Sequence, residues 1–364
     1  MTSPRVSIRA VASYPDILQI VAIQAAIWGA GSPTMLAPNL IRAFIYTGGI
    51  VLAAYDGDQM IGFVASFQGS LGQKTVQWSH MTAVLPQYRR YGIGRDLKLA
   101  QREAALAQGI KLVAWTFDPL RRANAIFNVE VLGVEVSILH PELYGVVDDD
   151  LNRGLLSDRF EAHWHLSQPR TKRLASGKEG PFKGLSAPET YATKFINHEP
   201  HLSLPDELRA SEYAIELPSD VETLRRESPD LAKQWYEAVR QATNPLFAAG
   251  YKIERVYAPD DSSTFAYLLR QPAPWFLYVL ETRDGSLYTG ITPDVEKRLA
   301  THNAGKGAGY TAKRLPVRLM AVWRCSGGKI EAMKLEYAFK RLRKAQKQTY
   351  LLAGQDFQQA KRIQ

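Results

Sequence analysis

The chain has 364 residues, room for two domains at ~150 residues each, and its 46% hydrophobic and 22% charged residues exclude wholesale disorder and a fibrous repeat. A single cysteine, Cys325, excludes an intramolecular disulfide framework and a cysteine-rich zinc site. The net charge of +9 is unevenly placed: residues 272–364 hold 17 Lys and Arg against 7 Asp and Glu, a balance of +10, and the residues before them carry −1. Such a basic quarter suits a phosphate backbone as partner, or is a solvated face with no ligand. The opening MTSPRVSIRAV has no apolar core of signal-peptide type. The longest apolar stretch, ILQIVAIQAAIW, has 12 residues against the ~20 of a membrane span. A soluble, cytoplasmic chain with no membrane partner is the expectation.

In chain order, VSIRAV reads as a strand and PDILQIVAIQAAIW as an amphipathic helix. GIVLAAYDGDQMIGFVASFQG is a hairpin turning at Asp56, Gly57 and Asp58, and VQWSHMTAVLP is a further strand. RDLKLAQREAALAQ is a helix with apolar Leu97, Leu99 and Leu106, KLVAWTF a buried strand, and NAIFNVEVLG a short helix closed by Gly133. His163 and His165 flank Trp164 on a strand, open to metal ligation or to an ordinary strand surface, and Asp148–Asp150 read as a solvated loop. Residues 170–212 are polar, with little periodicity, and read as loop. YAIELP, a helix through LAKQWYEAVRQA, and strands KIERVYA and TFAYLLR around PDDSS follow. QPAPW at 271–275 reads as a linker.

Arg89-Arg90-Tyr91-Gly92-Ile93-Gly94-Arg95 lies between a strand and a helix. Glycines there admit a ligand close to the backbone, and the helix N-terminus attracts a pyrophosphate; the same run also serves as a plain structural turn. It has neither the G-x-G-x-x-G of a dinucleotide fold nor the Gly-Lys-Ser/Thr of a Walker loop. With VLPQYRRYGIGRDL followed by TFDPLRRANAIFNVEVLG, and the later NRGLLSDRFEAHW, the region resembles the GNAT N-acetyltransferase superfamily over about residues 5–140, extending to 170. The resemblance implies that Val84, Arg89, Arg90, Tyr91, Gly92, Ile93, Gly94 and Arg95 hold acetyl-CoA. It places Asn124 beside the cofactor where two strands splay, and implies acyl transfer to an unknown amine acceptor. Where many members carry a tyrosine four residues before the Leu-Gly glycine, this chain has Val129; Tyr144 is the alternative proton donor.

Past the linker, FLYVLE and SLYTGI flank Thr282-Arg283-Asp284-Gly285 as a β-hairpin, PDVEKRLATHN is a helix and VRLMAVWRC a third strand. GGKIEAMKLEYAFKRLRKAQ reads as one amphipathic helix with apolar Ile330, Met333, Tyr337 and Leu342. Tyr278, Tyr288-Thr289-Gly290, Arg298 with His302 and Asn303, Lys306 and Tyr310, then Glu336 and Lys340 stand in the order and spacing of the GIY-YIG nuclease superfamily, which the segment resembles over about 273–352. The resemblance implies Tyr278 as general base and Glu336 as the Mg²⁺ ligand. It gives Arg298 the phosphate oxygens, and Tyr288 and His302 the positioning of water or phosphate. Lys306, Lys313, Arg314, Lys340, Arg341, Arg343, Lys344 and Lys347 are the candidate DNA backbone contacts.

The expected architecture is therefore α/β and α+β in two domains. A GNAT-like mixed sheet with flanking helices occupies 1–170, with an extension over 171–270, and a small three-stranded GIY-YIG sheet with helices occupies 273–364. The expected activities are Mg²⁺-dependent, structure-specific cleavage of branched or duplex DNA and acetyl-CoA-dependent N-acetylation. The alternative is an acetyltransferase carrying a non-catalytic nucleic-acid-binding module.

Overall fold

A computed structural model describes residues 4–32, 34–145, 157–182, 184–271, 274–325, 328–358 and 360–363. Asp148–Asp150, the first five residues of NRGLLSDRFEAHW and the Ile330 side chain lie outside that description. The chain forms two compact units, Met1–Arg270 and Gln271–Gln364. No helix among the described residues is long and apolar enough to cross a membrane.

The first unit is built on one mixed sheet. Its strands are β1 (Val6–Ala10), β2 (Val51–Asp56), β3 (Gln59–Leu71), β4 (Lys74–Val84), β5 (Leu112–Phe117), β6 (Glu135–His140), β7 (Arg159–His165), β8 (Tyr191–Ile196), β9 (Glu199–Leu202), β10 (Glu212–Pro218), β11 (Lys252–Tyr257) and β12 (Thr264–Arg270). They run in the order β1-β2-β3-β4-β5-β7-β6-β11-β12-β10-β8-β9. The first helix, Tyr14–Trp28, starts with a capping box between Ser13 and Asp16 that satisfies two otherwise unpaired N–H groups. Gly133, at φ +77°, ends a helical segment whose last turns, Ile126–Leu132, are wound as a π-helix. Glu130 in that segment accepts from Arg255 Nε at 3.1 Å and from the Val256 backbone at 2.7 Å, tying it to β11.

One expectation for this unit needs correction. Residues 170–212 are not uniformly loop: they include the helix Pro169–Ala175, which begins before them, and the hairpin of β8 and β9. That hairpin closes the edge of the sheet, so most of its side chains face solvent and its hydrophobic alternation is weak. The helix Pro38–Tyr46, begun by Pro38, is additional.

The second unit carries β13 (Trp275–Thr282), β14 (Leu287–Thr292), β15 (Val317–Cys325) and the two-residue β16 (Lys361–Arg362), all antiparallel, in the order β14-β13-β15-β16. The expected three strands are present; the fourth is a Lys-Arg pair with no apolar signal of its own. The expected single helix over GGKIEAMKLEYAFKRLRKAQ is two, Gly328–Arg341 and Lys344–Ala353, parted at Leu342 and Arg343. Its buried stripe is Ala332, Leu335 and Phe339, packed on Leu277, Val279 and Trp323, whereas Met333 and Tyr337 are 53% and 64% exposed. A small alanine counts little in a hydrophobicity pattern, yet it lets the helix approach the sheet closely.

Candidate active sites

Tyr278 on β13 stands opposite Gly290 of the edge strand β14. Strand alternation sends Leu277 and Val279 to one face and Tyr278 and Leu280 to the other, against the helix Val295–Asn303. A Cβ at Gly290 would fall 2.5 Å from Tyr278 Oη, so the glycine is what lets the phenol lie across β14. Arg298 and His302 are one helical turn apart and share a face. Arg298 Nε donates to Tyr278 Oη at 3.2 Å, and Tyr278 Oη lies 3.0 Å from His302 Nε2. Across the ring, His302 Nδ1 is 2.7 Å from Thr311 Oγ1, whose hydroxyl donates to the Ala308 carbonyl at 2.9 Å. A carbonyl only accepts, so the Thr311 oxygen must accept from Nδ1–H. The imidazole is thus protonated at Nδ1, and its Nε2 lone pair receives the Tyr278 hydroxyl hydrogen. A side chain at Gly307 would collide with this imidazole.

Burial pushes the Tyr278 phenol up to about 12; the Arg298 hydrogen bond opposes this, and Tyr288 and the Glu336 carboxylate add to the rise. His302 is held below its ordinary value by burial and by Arg298, and Arg298 is raised chiefly by its bond to Tyr278. The Tyr288 ring lies 5.2 Å from His302 and 6.3 Å from a nearly parallel Tyr310. Glu336, on the helix Gly328–Arg341, has a side chain 22% exposed, and its Oε1 accepts from Lys340 Nζ at 2.8 Å. No group of three or more His, Cys, Asp or Glu suited to a metal exists among the described residues. One reachable carboxylate nevertheless fits Mg²⁺, which completes its octahedron with waters and phosphate oxygens.

In the first unit, β4 and β5 pair only at Gln77–Val113 and Trp78–Ala114. Just beyond, Ser79 faces Ser66 while Met81 faces Ala65, leaving His80 as the extra residue of a bulge. The strands part there, and Ser79–Val84 and Trp115–Phe117 wall a cavity of about 410 Å³ with Asn124, Phe127 and Asn128. At its end the helix Ile93–Ala107 begins, after Arg90 at φ +71° and Gly92 at φ +77°. The first-turn N–H groups have no acceptor within the helix and carry its positive dipole end. A Cβ on Gly94 would meet no protein atom closer than 3.8 Å, so packing alone does not demand a glycine there. Lys98 is buried in the wall, its Nζ 2.9 Å from Ser79 Oγ, 2.7 Å from Gln101 Oε1 and 3.8 Å from the Trp115 ring centre; burial pushes its pKa well below the ordinary value. Tyr144 is outside that lining, but its Oη is 2.9 Å from Oγ1 of Thr116, which belongs to it.

Residues 274–350 match the family model of the GIY-YIG catalytic domain. Over 90 residues the chain is 51% identical to a UPF0213 protein of Bacillus licheniformis, covering 24% of this chain and 92% of that protein. A UPF0213 protein of Streptococcus pneumoniae is 51% identical over 81 residues, 22% of this chain and 81% of that one. The chain belongs to the GIY-YIG family. Residues 18–130 match the model of the acetyltransferase (GNAT) family, so the chain joins a GNAT domain to a GIY-YIG domain. A GNAT-family acetyltransferase of Streptococcus pneumoniae is 16% identical with a TM-score of 0.35, covering 44% of this chain and 98% of that one.

Within the GIY-YIG domain, Tyr278, Tyr288, Arg298 and His302 come together, and Glu336 reaches their electrostatic field. Thr311 and Gly307 complete the arrangement, and neither stands out in the sequence: a threonine nine residues past a histidine carries no distinctive signal. Arg314 is engaged by Asp284 at 2.9 Å and lies over Tyr310, and Lys347 Nζ donates to the Lys340 carbonyl. Lys306, Lys313, Arg341, Arg343 and Lys344 are exposed. Within the GNAT domain, Val84, Arg89, Gly94 and Asn124 line the cavity. Arg90, Tyr91 and Gly92 form the exposed turn before the helix, Ile93 packs in the core, and Arg95 donates to the Leu174 carbonyl at 2.9 Å. Val129 is fully buried, so its place is taken by packing. His163 binds Glu161 at 2.6 Å and touches the ring of His165. Ser79, His80 and Lys98 are site residues the sequence did not mark; the bulge that presents His80 has no local signature.

Proposed function

We propose that the GIY-YIG domain is a Mg²⁺-dependent endonuclease acting on branched or duplex DNA. The observation that carries this is the hydrogen-bond series from Arg298 through Tyr278 and His302 to Thr311, beside a reachable Glu336. Tyr278 takes a proton from the attacking water while its own hydroxyl proton passes to His302 Nε2, so the buried phenol never has to rest as phenolate. Arg298, partly exposed, neutralises the non-bridging phosphate oxygens with its remaining N–H groups. Glu336 would hold Mg²⁺, which supplies positive charge to the leaving oxygen when bound; Lys340 must then release it. The exposed Lys306, Lys313, Lys340, Arg341, Arg343 and Lys344 contact a phosphate backbone. An intact proton series supports catalysis over a module that only binds. The test is a cleavage screen over linear, flapped and four-way DNA, with Mg²⁺ and with EDTA.

We infer, on the splayed strands and the cavity between them, that the GNAT domain binds acetyl-CoA and acetylates an amine. Acetyl-CoA, when bound, supplies the activated acyl group. The helix N-terminus at Gly92–Arg95 receives the pyrophosphate, Asn124 lines the cofactor's path, and Tyr144 is the proton donor for the departing thiolate. Saturating acetyl-CoA should raise the melting temperature, since a ligand at 100 Kd adds about 2.7 kcal/mol.

A further inference from the structure

Next to the cofactor cavity lies a second one of about 480 Å³, and His80 lines both. Its walls are mostly apolar, with Leu36, Leu40, Phe44, Phe67 and Trp78 among the lining residues beside Tyr144 and His140. Phe44 and Phe67 pack at 5.0 Å, each with the His80 ring 6.4 Å away. Neither lysine nor arginine lines it among the described residues, and its acidic member is Glu161, only 6% exposed. Each Glu161 oxygen meets a different imidazole, Oε2 with His140 Nε2 at 2.7 Å and Oε1 with His163 Nε2 at 2.6 Å. Those bonds hold the carboxyl below its ordinary pKa, that of His163 first. An ionised carboxylate only accepts, so both imidazoles donate and further lone pairs remain for a cation. Two donors leave part of its acceptor capacity free, so a cation that enters the cavity adds a charge-assisted hydrogen bond. His80, crowded by its aromatic neighbours, is depressed by burial and stays a neutral base near pH 7.

We propose that this second cavity holds the acyl acceptor and that the acceptor is a monoamine with an apolar body, its ammonium drawn to Glu161 and its body lying among Phe44, Phe67 and Trp78. The inference rests on the acyl-transfer reading of the GNAT domain. The ammonium passes one proton to a His80 ring nitrogen, leaving a neutral amine with its lone pair and an imidazolium; no other bond changes in that step. A polyamine or an aminoglycoside would bury several charges against a single carboxylate, and a carboxylate-bearing acceptor would meet Glu161 as a like charge.

The test is calorimetric titration of the full chain, without acetyl-CoA, using 2-phenylethylamine, its neutral analogue 2-phenylethanol, and spermidine. The amine should bind at least about tenfold more tightly than either comparator, the worth of one charge-assisted hydrogen bond. Glu161→Gln should erase the preference over 2-phenylethanol, and Phe67→Ala should weaken both aromatic ligands while leaving the melting temperature near that of the parent. Tighter spermidine binding, or a preference that survives Glu161→Gln, overturns the proposal. Acetyl-CoA is titrated separately: failure to bind removes the acyl-transfer reading, whereas binding it while rejecting 2-phenylethylamine removes only the acceptor assignment.

Discussion

Tyr278 and His302 share a hydrogen across 3.0 Å, and its direction is set from the far side of the imidazole, where Thr311 accepts from Nδ1. The phenol therefore has a proton acceptor already in place, which matters because burial holds its own pKa near 12. Thr311 acts through His302 as a positioning residue. Thr311→Val leaves Nδ1–H without an acceptor in a buried site, a cost of about 1–3 kcal/mol. Nicking should fall by roughly 10²-fold in this variant. Thr311→Ser, which restores the hydroxyl, should recover the rate. Steady-state nicking of both variants, beside their unfolding curves, checks this; a merely structural role would lower stability without the rescue in rate.

Gly290 gives a steric prediction. Alanine there would put its Cβ 2.5 Å from Tyr278 Oη and displace the ring. Gly290→Ala should destabilise the domain by about 1–3 kcal/mol, the usual cost of overpacking, and abolish nicking. Denaturant unfolding followed at Trp323, which is buried in this domain, measures the first effect.

pH dependence follows from His302. Its folded pKa lies below the ordinary 6.5, so between those two values the unfolded chain binds more protons. This contribution to stability is intact above pH 6.5 and is lost as pH falls through the folded value. Nicking should follow the same direction, rising as His302 deprotonates and staying high through neutrality, because Tyr278 keeps its proton up to about 12. A pH–rate profile checks the limb, and in His302→Gln the acid limb should vanish with most of the rate.

For the GNAT domain, Gly94→Leu should abolish the rise in melting temperature with acetyl-CoA, since the added side chain enters cavity space that no protein atom fills. Tyr144→Phe should leave that shift intact and lower turnover. The two variants separate holding the cofactor from protonating its thiolate.

Much of this was legible in the sequence because the relevant signals are local. The β13–β14 hairpin, the one-turn spacing of Arg298 and His302, and the glycine turn before the helix Ile93–Ala107 each follow from neighbouring residues. What was not legible depends on tertiary partners. His80 becomes a site residue only through the bulge against β3, and Lys98 only because Trp115 and Ser79 enclose it. Met333 and Tyr337 fit a helical stripe as well as Leu335 and Phe339 do; the sheet surface selected the second pair. The polar β8–β9 hairpin was hidden because an edge needs few apolar residues.

The most direct measurement is metal-dependent nicking of four-way DNA by the full chain and by Glu336→Gln, with binding of the same DNA followed in parallel. The account predicts cleavage by the parent with Mg²⁺, none with EDTA, and none from Glu336→Gln although DNA binding persists. Cleavage at the parental rate by Glu336→Gln would contradict the placement of the metal, and DNA bound but left uncut by the parent with Mg²⁺ would contradict the nuclease itself.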